Sequence, residues 1–141
     1  MRHPSRKTPD VKTLKPGMTV YLLPCDNKQD RQRVVEGEIV KIGRKYISVK
    51  RKVDGIFPVL YQFDFTDDYC EKPGVYGRSY LLFFSMEEID DYFLHRELMK
   101  KVHAEANYAY YLSTHQLKQI CDLLEKGKRI YKNQEFNHQE V

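Results

Sequence analysis

Residues 34–51 constrain this chain more than any other segment. From Val34 to Ile42 apolar and polar residues interleave, and from Lys45 to Arg51 they do so again. Between them stands Gly43-Arg44, a two-residue Gly-X connection suited to a type II′ turn. Such a turn joins antiparallel neighbours, so the chain is committed to a β-hairpin. If Ile42 pairs with Lys45, Val40 faces Ile47. The side-chain period of two then puts Val40, Ile42, Ile47 and Val49 inside, and Lys41, Tyr46, Ser48 and Lys50 outside. The same phase would bury Glu36 and Glu38, so a bulge is expected near Gly37.

Other strands gather around this hairpin. Lys15-Pro16-Gly17 opens one from Met18 to Leu23, and Pro24 stops it. After a turn at Asp54-Gly55, Phe57, Val59, Tyr61, Phe63 and Phe65 alternate with other residues and predict one strand over 57–65. Pro58 must sit at its start or on an edge, because it cannot donate to a ladder. Residues 66–78 read as a loop. Tyr80–Phe84 is continuously apolar and needs cover on both faces, which the helices that follow can supply.

Both helix starts carry a capping box, Ser85 with Glu88 and Ser113 with Gln116. Phe84 with Ile89, and Leu112 with Leu117, have the spacing of hydrophobic staples. The first helix is expected from Met86 to about Asn107, with Ile89, Phe93, Met99 and Val102 as contacts. The second is expected from Thr114 to Lys126, with Leu117, Ile120, Leu124 and Cys121 as its stripe and Gly127 as its stop. The fold class that follows is α+β: a small β-barrel of about five antiparallel strands, then a C-terminal α-helical hairpin. One domain over 17–127 is expected, with a flexible basic tail over 1–16 and a polar tail over 128–141.

Composition agrees with one ordinary domain. The chain has 141 residues, 41% of them apolar, which is enough to build a core. Its three cysteines, Cys25, Cys70 and Cys121, are odd in number and far apart, which argues against a disulfide framework and for a reducing compartment. No long apolar run suggests a membrane span or a signal peptide, so a host-cytosolic location and no membrane partner are expected. The net charge of +4 is unevenly placed. Residues 1–16 hold five basic groups against one acid, whereas residues 85–141 are net acidic.

Catalytic signatures are missing. There is no Gly-rich phosphate loop, no nucleophile elbow, no metalloprotease helix and no CxxC pair. The five histidines are scattered, which gives no metal-ligand spacing. Asp64, Asp67 and Asp68 flank a loop that could take a divalent cation. Polar groups of 66–78 converging in space are the one route left to an enzyme. No catalytic residue, cofactor, metal or small-molecule substrate is assigned.

Three surface groups remain. Lys41, Arg44, Lys45, Tyr46, Lys50, Arg51 and Lys52 place cations beside a ring, as a groove for DNA or RNA does. Lysines also protect edge hairpins from aggregation. Glu87, Glu88, Asp90 and Asp91 crowd the start of the first helix, where the macrodipole favours acids. The same acids could imitate phosphates and bind a basic protein groove. Tyr108, Tyr110 and Tyr111 lie between the helices, as an interface patch or as rings closing a seam.

Lys15-Pro16-Gly17-Met18-Thr19-Val20-Tyr21 and Glu38 to Val49, with the run Ile42-Gly43-Arg44-Lys45-Tyr46-Ile47-Ser48-Val49, resemble the SH3-like small-barrel proteins of phages and mobile elements. Leu112 to Ile120 is similar to their C-terminal helix. The resemblance spans about residues 15–126. It implies an SH3-like barrel and a phage or plasmid setting, and it assigns no functional residue. It also implies an accessory protein acting on a host system, including inhibitors of CRISPR nucleases. The leading expectation is therefore a non-catalytic binding protein that occludes a host protein or nucleoprotein complex. The alternative is a nucleic-acid-binding barrel using hairpin 41–52.

Overall fold

The structure, a computed structural model, describes residues 7–26, 29–53, 55–75 and 77–139, without the side chains of 134–139. The fold is α+β. Six strands form one antiparallel sheet: β1 (Thr19–Pro24), β2 (Val35–Ile42), β3 (Tyr46–Arg51), β4 (Tyr61–Asp64), β5 (Cys70–Glu71) and β6 (Tyr80–Phe83). Their order is β5-β4-β3-β2-β1-β6, and the sheet curls into a nearly closed barrel. Two helices follow as a hairpin-like pair, α1 (Met86–Ala106) and α2 (Thr114–Gln139). The chain divides into two compact units between Leu94 and His95, inside α1.

The hairpin of β2 and β3 forms in a register different from the expected one. Ile42 pairs with Ile47, and the Gly43 N–H donates to the Tyr46 carbonyl at 2.8 Å, so Arg44-Lys45 is the tip. The phase change is real, but it sits between Ile39 and Lys41, not at Gly37. Val40 is therefore exposed and Ile39 buried, which corrects the expected inner face. The bulge turns Glu36 and Glu38 away from the core and so removes the conflict that predicted it. Ser48 is also buried, although its strand parity is that of the outer face. Gly37 has a different reason to be glycine. A Cβ there would lie 3.0 Å from Val49 Cγ1 and 3.1 Å from the Lys50 carbonyl oxygen.

The barrel interior holds Leu14, Val20, Leu22, Ile39, Ile47, Val49, Phe63, Tyr69 and Leu82. Each such side chain contributes roughly 1.5–3 kcal/mol when fully buried. β1 and β6 are covered on both faces. Leu22 and Leu82 point inward, while Leu23 and Phe83 pack with Ile89 of α1. This accounts for the continuous apolar run at Tyr80–Phe84. Only the first turns of α1 provide that cover, through Ile89, Tyr92 and Phe93. Met99 and Val102, expected as contacts, are exposed.

The Ser113 box closes in both directions, whereas at Ser85 only the forward bond forms and the Glu88 carboxylate reaches the Phe84 N–H instead of the Ser85 N–H. The Glu88 N–H donates to Ser85 Oγ at 3.1 Å, and Glu88 Oε2 accepts from the Phe84 N–H at 2.9 Å. The Gln116 N–H donates to Ser113 Oγ, and the Ser113 N–H donates to Gln116 Oε1. Gly127 does not stop α2, which runs on to Gln139. The strand expected over 57–65 is also corrected. Only Tyr61–Asp64 pairs, and the expected 66–78 loop contains the short strand β5.

Residues 1–6 of the expected basic tail, and Asp54 of the expected turn, lie outside the described residues. From Pro9 on, the N-terminal segment lies on the barrel. Its carbonyl accepts from the Tyr69 hydroxyl at 2.7 Å, and Leu14 joins the core.

The seam of the barrel lies between β5 and β6, and one carboxylate spans it. Glu71 is buried, and its Oε2 accepts the N–H groups of Ser79 and Tyr80, the latter at 2.8 Å. Arg78 Nε donates to the Glu71 carbonyl, and Tyr61 meets Tyr80 edge to face at 4.9 Å. Glu71→Ala would leave two donors without this acceptor. It should lower unfolding free energy by about 2–4 kcal/mol. Glu71→Gln keeps an acceptor oxygen and should cost less. Urea unfolding of both variants checks this, and equal losses would remove the carboxylate from the account.

Candidate functional site

The basic hairpin is less basic than its composition suggests. Across β2 and β3, Lys50 lies 3.6 Å from Glu38, and Lys52 lies 3.4 Å from Glu36. Lys52 also donates to Thr19 Oγ1 at 2.6 Å. The bulge at Val40 causes these pairings, because it sends both glutamates to the side the lysines occupy. Arg51 is half-buried, and Lys41 and Arg44 are exposed.

One corner keeps the cation-and-ring arrangement. The ammonium groups of Lys45 and Lys72 each stand 5.4 Å from the centroid of the Tyr46 ring. Lys45 also pairs with Asp64 at 3.6 Å. The Tyr46 phenol, then Asp64, push the Lys45 ammonium above its usual range. Lys72 had no place in the sequence reading. It arrives only because the loop after β5 returns beside β4, where the Lys72 N–H donates to the Gln62 carbonyl at 2.8 Å.

The acidic group at the start of α1 is partly engaged. The Glu88 carboxylate accepts from the Phe84 N–H, and Asp90 lies 2.8 Å from Arg31. Glu87 and Asp91 are exposed. Tyr108, Tyr110 and Tyr111 are exposed as well, with the Tyr111 hydroxyl donating to Glu105 at 3.2 Å. The acids lie in the unit ending at Leu94 and the tyrosines in the unit starting at His95, so the predicted protein-binding residues do not form one site within either unit.

A different patch stands out in the barrel unit. Between β3 and β4 the chain exposes Val53, Ile56, Phe57, Val59 and Leu60. Ile56 and Phe57 are 92% and 93% exposed. Large apolar side chains exposed so close together in sequence are candidates for an interaction site. The alternation F-x-V-x-Y-x-F conceals this segment, because it runs on without a break into β4. Pro58 was the available signal, since it cannot support a central ladder.

Little points to chemistry. Among the described residues no group of three or more His, Cys, Asp or Glu could hold a metal ion. The three cysteines are free thiols. Burial, then the Glu71 carboxylate, pushes the Cys25 thiol up, away from a reactive thiolate. No helix among the described residues is long and apolar enough to cross a membrane.

Asp64 anchors the cation corner. Burial alone would raise its carboxyl, but the Thr66 hydroxyl and N–H, together with Lys45, hold it below the usual range. The Thr66 hydroxyl donates at 2.6 Å and its N–H at 2.8 Å. A depressed carboxyl stabilises the fold above its unfolded pKa, about 3.9, and that contribution is lost as pH falls through the folded value. Asp64→Asn should therefore destabilise at pH 7 and much less at pH 2–3. Urea unfolding at both ends checks this, and an equal loss at both would contradict it.

Residues 1–127 match the family described as phage ProQ C-terminal-like domain. No curated protein and no solved structure matches the chain.

Proposed function

The chain belongs to the phage ProQ C-terminal-like domain family, and from that premise we propose a non-catalytic binding protein that occludes a host protein or nucleoprotein. The exposed apolar segment Ile56-Phe57-Pro58-Val59-Leu60 carries this reading. A barrel that buries Phe63 and Phe83 so fully, yet leaves Phe57 in water, has a use for that ring outside its own core. Large aromatic anchors of this type dominate binding energy at protein interfaces. Proline within the segment limits its backbone freedom and so lowers the entropy lost on docking.

The test is capture of a stoichiometric partner from host lysate by the wild-type chain and by Phe57→Asp. The ring is almost wholly exposed, so the variant should keep its circular dichroism spectrum and melting temperature. Capture should weaken by at least about tenfold, as expected for a central anchor. Nuclease treatment of the lysate separates a protein target from a nucleoprotein. Unchanged capture by a folded Phe57→Asp would remove the segment from the interface.

Direct nucleic-acid binding is the second reading, favoured by Tyr46 beside Lys45 and Lys72. Two ammonium groups held beside a half-buried ring can contact phosphates at one place. Gel shift at low salt should then show binding that falls with added salt and is lost in the Lys45→Glu, Lys72→Glu double variant. No shift by the wild type would exclude this use of the corner.

A further inference from the structure

The segment between β3 and β4 stands apart from the sheet in its backbone as well as in its side chains. Among the described residues, none of 55–60 takes part in a hydrogen bond. Gly55, Ile56, Phe57, Val59 and Leu60 leave their N–H groups to water, and Pro58 has none to give. Ile56, Phe57, Val59 and Leu60 are all more than half exposed, odd and even positions alike. Their order, F-x-V-x-Y-x-F into β4, is nevertheless that of a strand.

That combination restricts what can cover the segment. A partner that buries these side chains also takes water from the N–H and C=O groups between them. Buried backbone groups left unpaired are costly, so the covering chain has to bring donors and acceptors of its own. A helix face cannot, because its backbone groups are already bonded to one another. An extended segment brings both, at the spacing of a strand.

The ladder of β4 decides which edge is open. The Phe65 N–H donates to the Lys45 carbonyl at 3.1 Å, and Phe63 and Tyr61 pair with Ile47 and Val49, so odd positions bond toward β3. Gln62 bonds the other way, its carbonyl accepting from the Lys72 N–H. Continued upstream, this alternation turns Phe57 and Val59 to the β3 side, and Pro58 and Leu60 to the β5 side. The β5-side edge is poor, since Pro58 cannot donate. The other has both donors and both acceptors, and β3 ends at Arg51 and bonds to neither residue. We propose that this segment is an edge for β-strand addition: an extended segment of the protein partner pairs with the backbone of Phe57 and Val59, in the place that β3 leaves after Arg51. The proposal rests on the reading of 56–60 as the interface and adds the form of what binds there.

The probe is a displayed library of random peptides of strand length, selected on the chain. Selected peptides should alternate apolar residues and lack internal proline. A synthetic peptide of the commonest selected sequence should slow amide exchange at Phe57 and Val59 by at least about tenfold. Val59→Pro removes one N–H from a residue that bonds nothing, so circular dichroism and melting temperature should hold while peptide binding falls at least about tenfold. Val59→Thr keeps the N–H and the branched shape, and its binding should stay within about twofold of the wild type. Peptides that require Phe57 yet bind Val59→Pro unchanged would overturn strand addition and leave the interface standing. So would selected peptides with apolar residues at helical spacing. Peptides that bind Phe57→Asp as well as the wild type, or no selected peptide at all, would remove the interface and the proposal with it.

Discussion

The buried carboxylate of Glu71 holds the barrel together at its weakest place. β5 is two residues long and cannot carry a ladder to β6. The β6 edge still presents N–H donors that must be satisfied. Glu71 supplies the acceptor that a longer strand would have supplied, taking the N–H groups of Ser79 and Tyr80 on one oxygen. Closure leaves no long free edge, which is how small barrels avoid edge-to-edge association. The inside of the sheet is thereby committed, and function is left to what the loops carry on the outside.

The bulge at Val40 then decides which outside residues are available. It rotates the first half of β2 so that Glu36 and Glu38 meet Lys52 and Lys50. Exposed pairs of this type contribute little to stability, about 0–1 kcal/mol. Their larger effect is on recognition, because they cancel charge that a phosphate backbone would otherwise meet. The basic character contracts to the Tyr46 corner, and the apolar segment between β3 and β4 becomes the more distinctive feature of the barrel.

Much of this was legible in the residues. The antiparallel class, the hairpin, both serine-capped helix starts and the double-sided burial of Tyr80–Phe84 follow from short-range patterns. The errors share one origin. Gly43-Arg44 and Arg44-Lys45 are both acceptable two-residue tips, and only the partners across the ladder choose between them. The alternation over 57–65 is equally consistent with a nine-residue strand and with a loop leading into four paired residues. Gly127 is a good helix stop by propensity, yet a glycine costs only about 1 kcal/mol within a helix. Lys72 could not be associated with Tyr46, since twenty-five positions separate them and a strand turn brings them together.

The sequence by itself determined what depends on neighbours within a few positions: where the helices begin, that the hairpin is antiparallel, and which run needs cover on two faces. These are consequences of backbone donors, side-chain period and local capping, and no distant contact is needed to satisfy them. Tertiary structure alone decided the register, the place of the bulge, the closing role of Glu71 and the cancellation of the hairpin charge. Each is a choice among locally equivalent alternatives, settled by which one satisfies buried donors and fills the core.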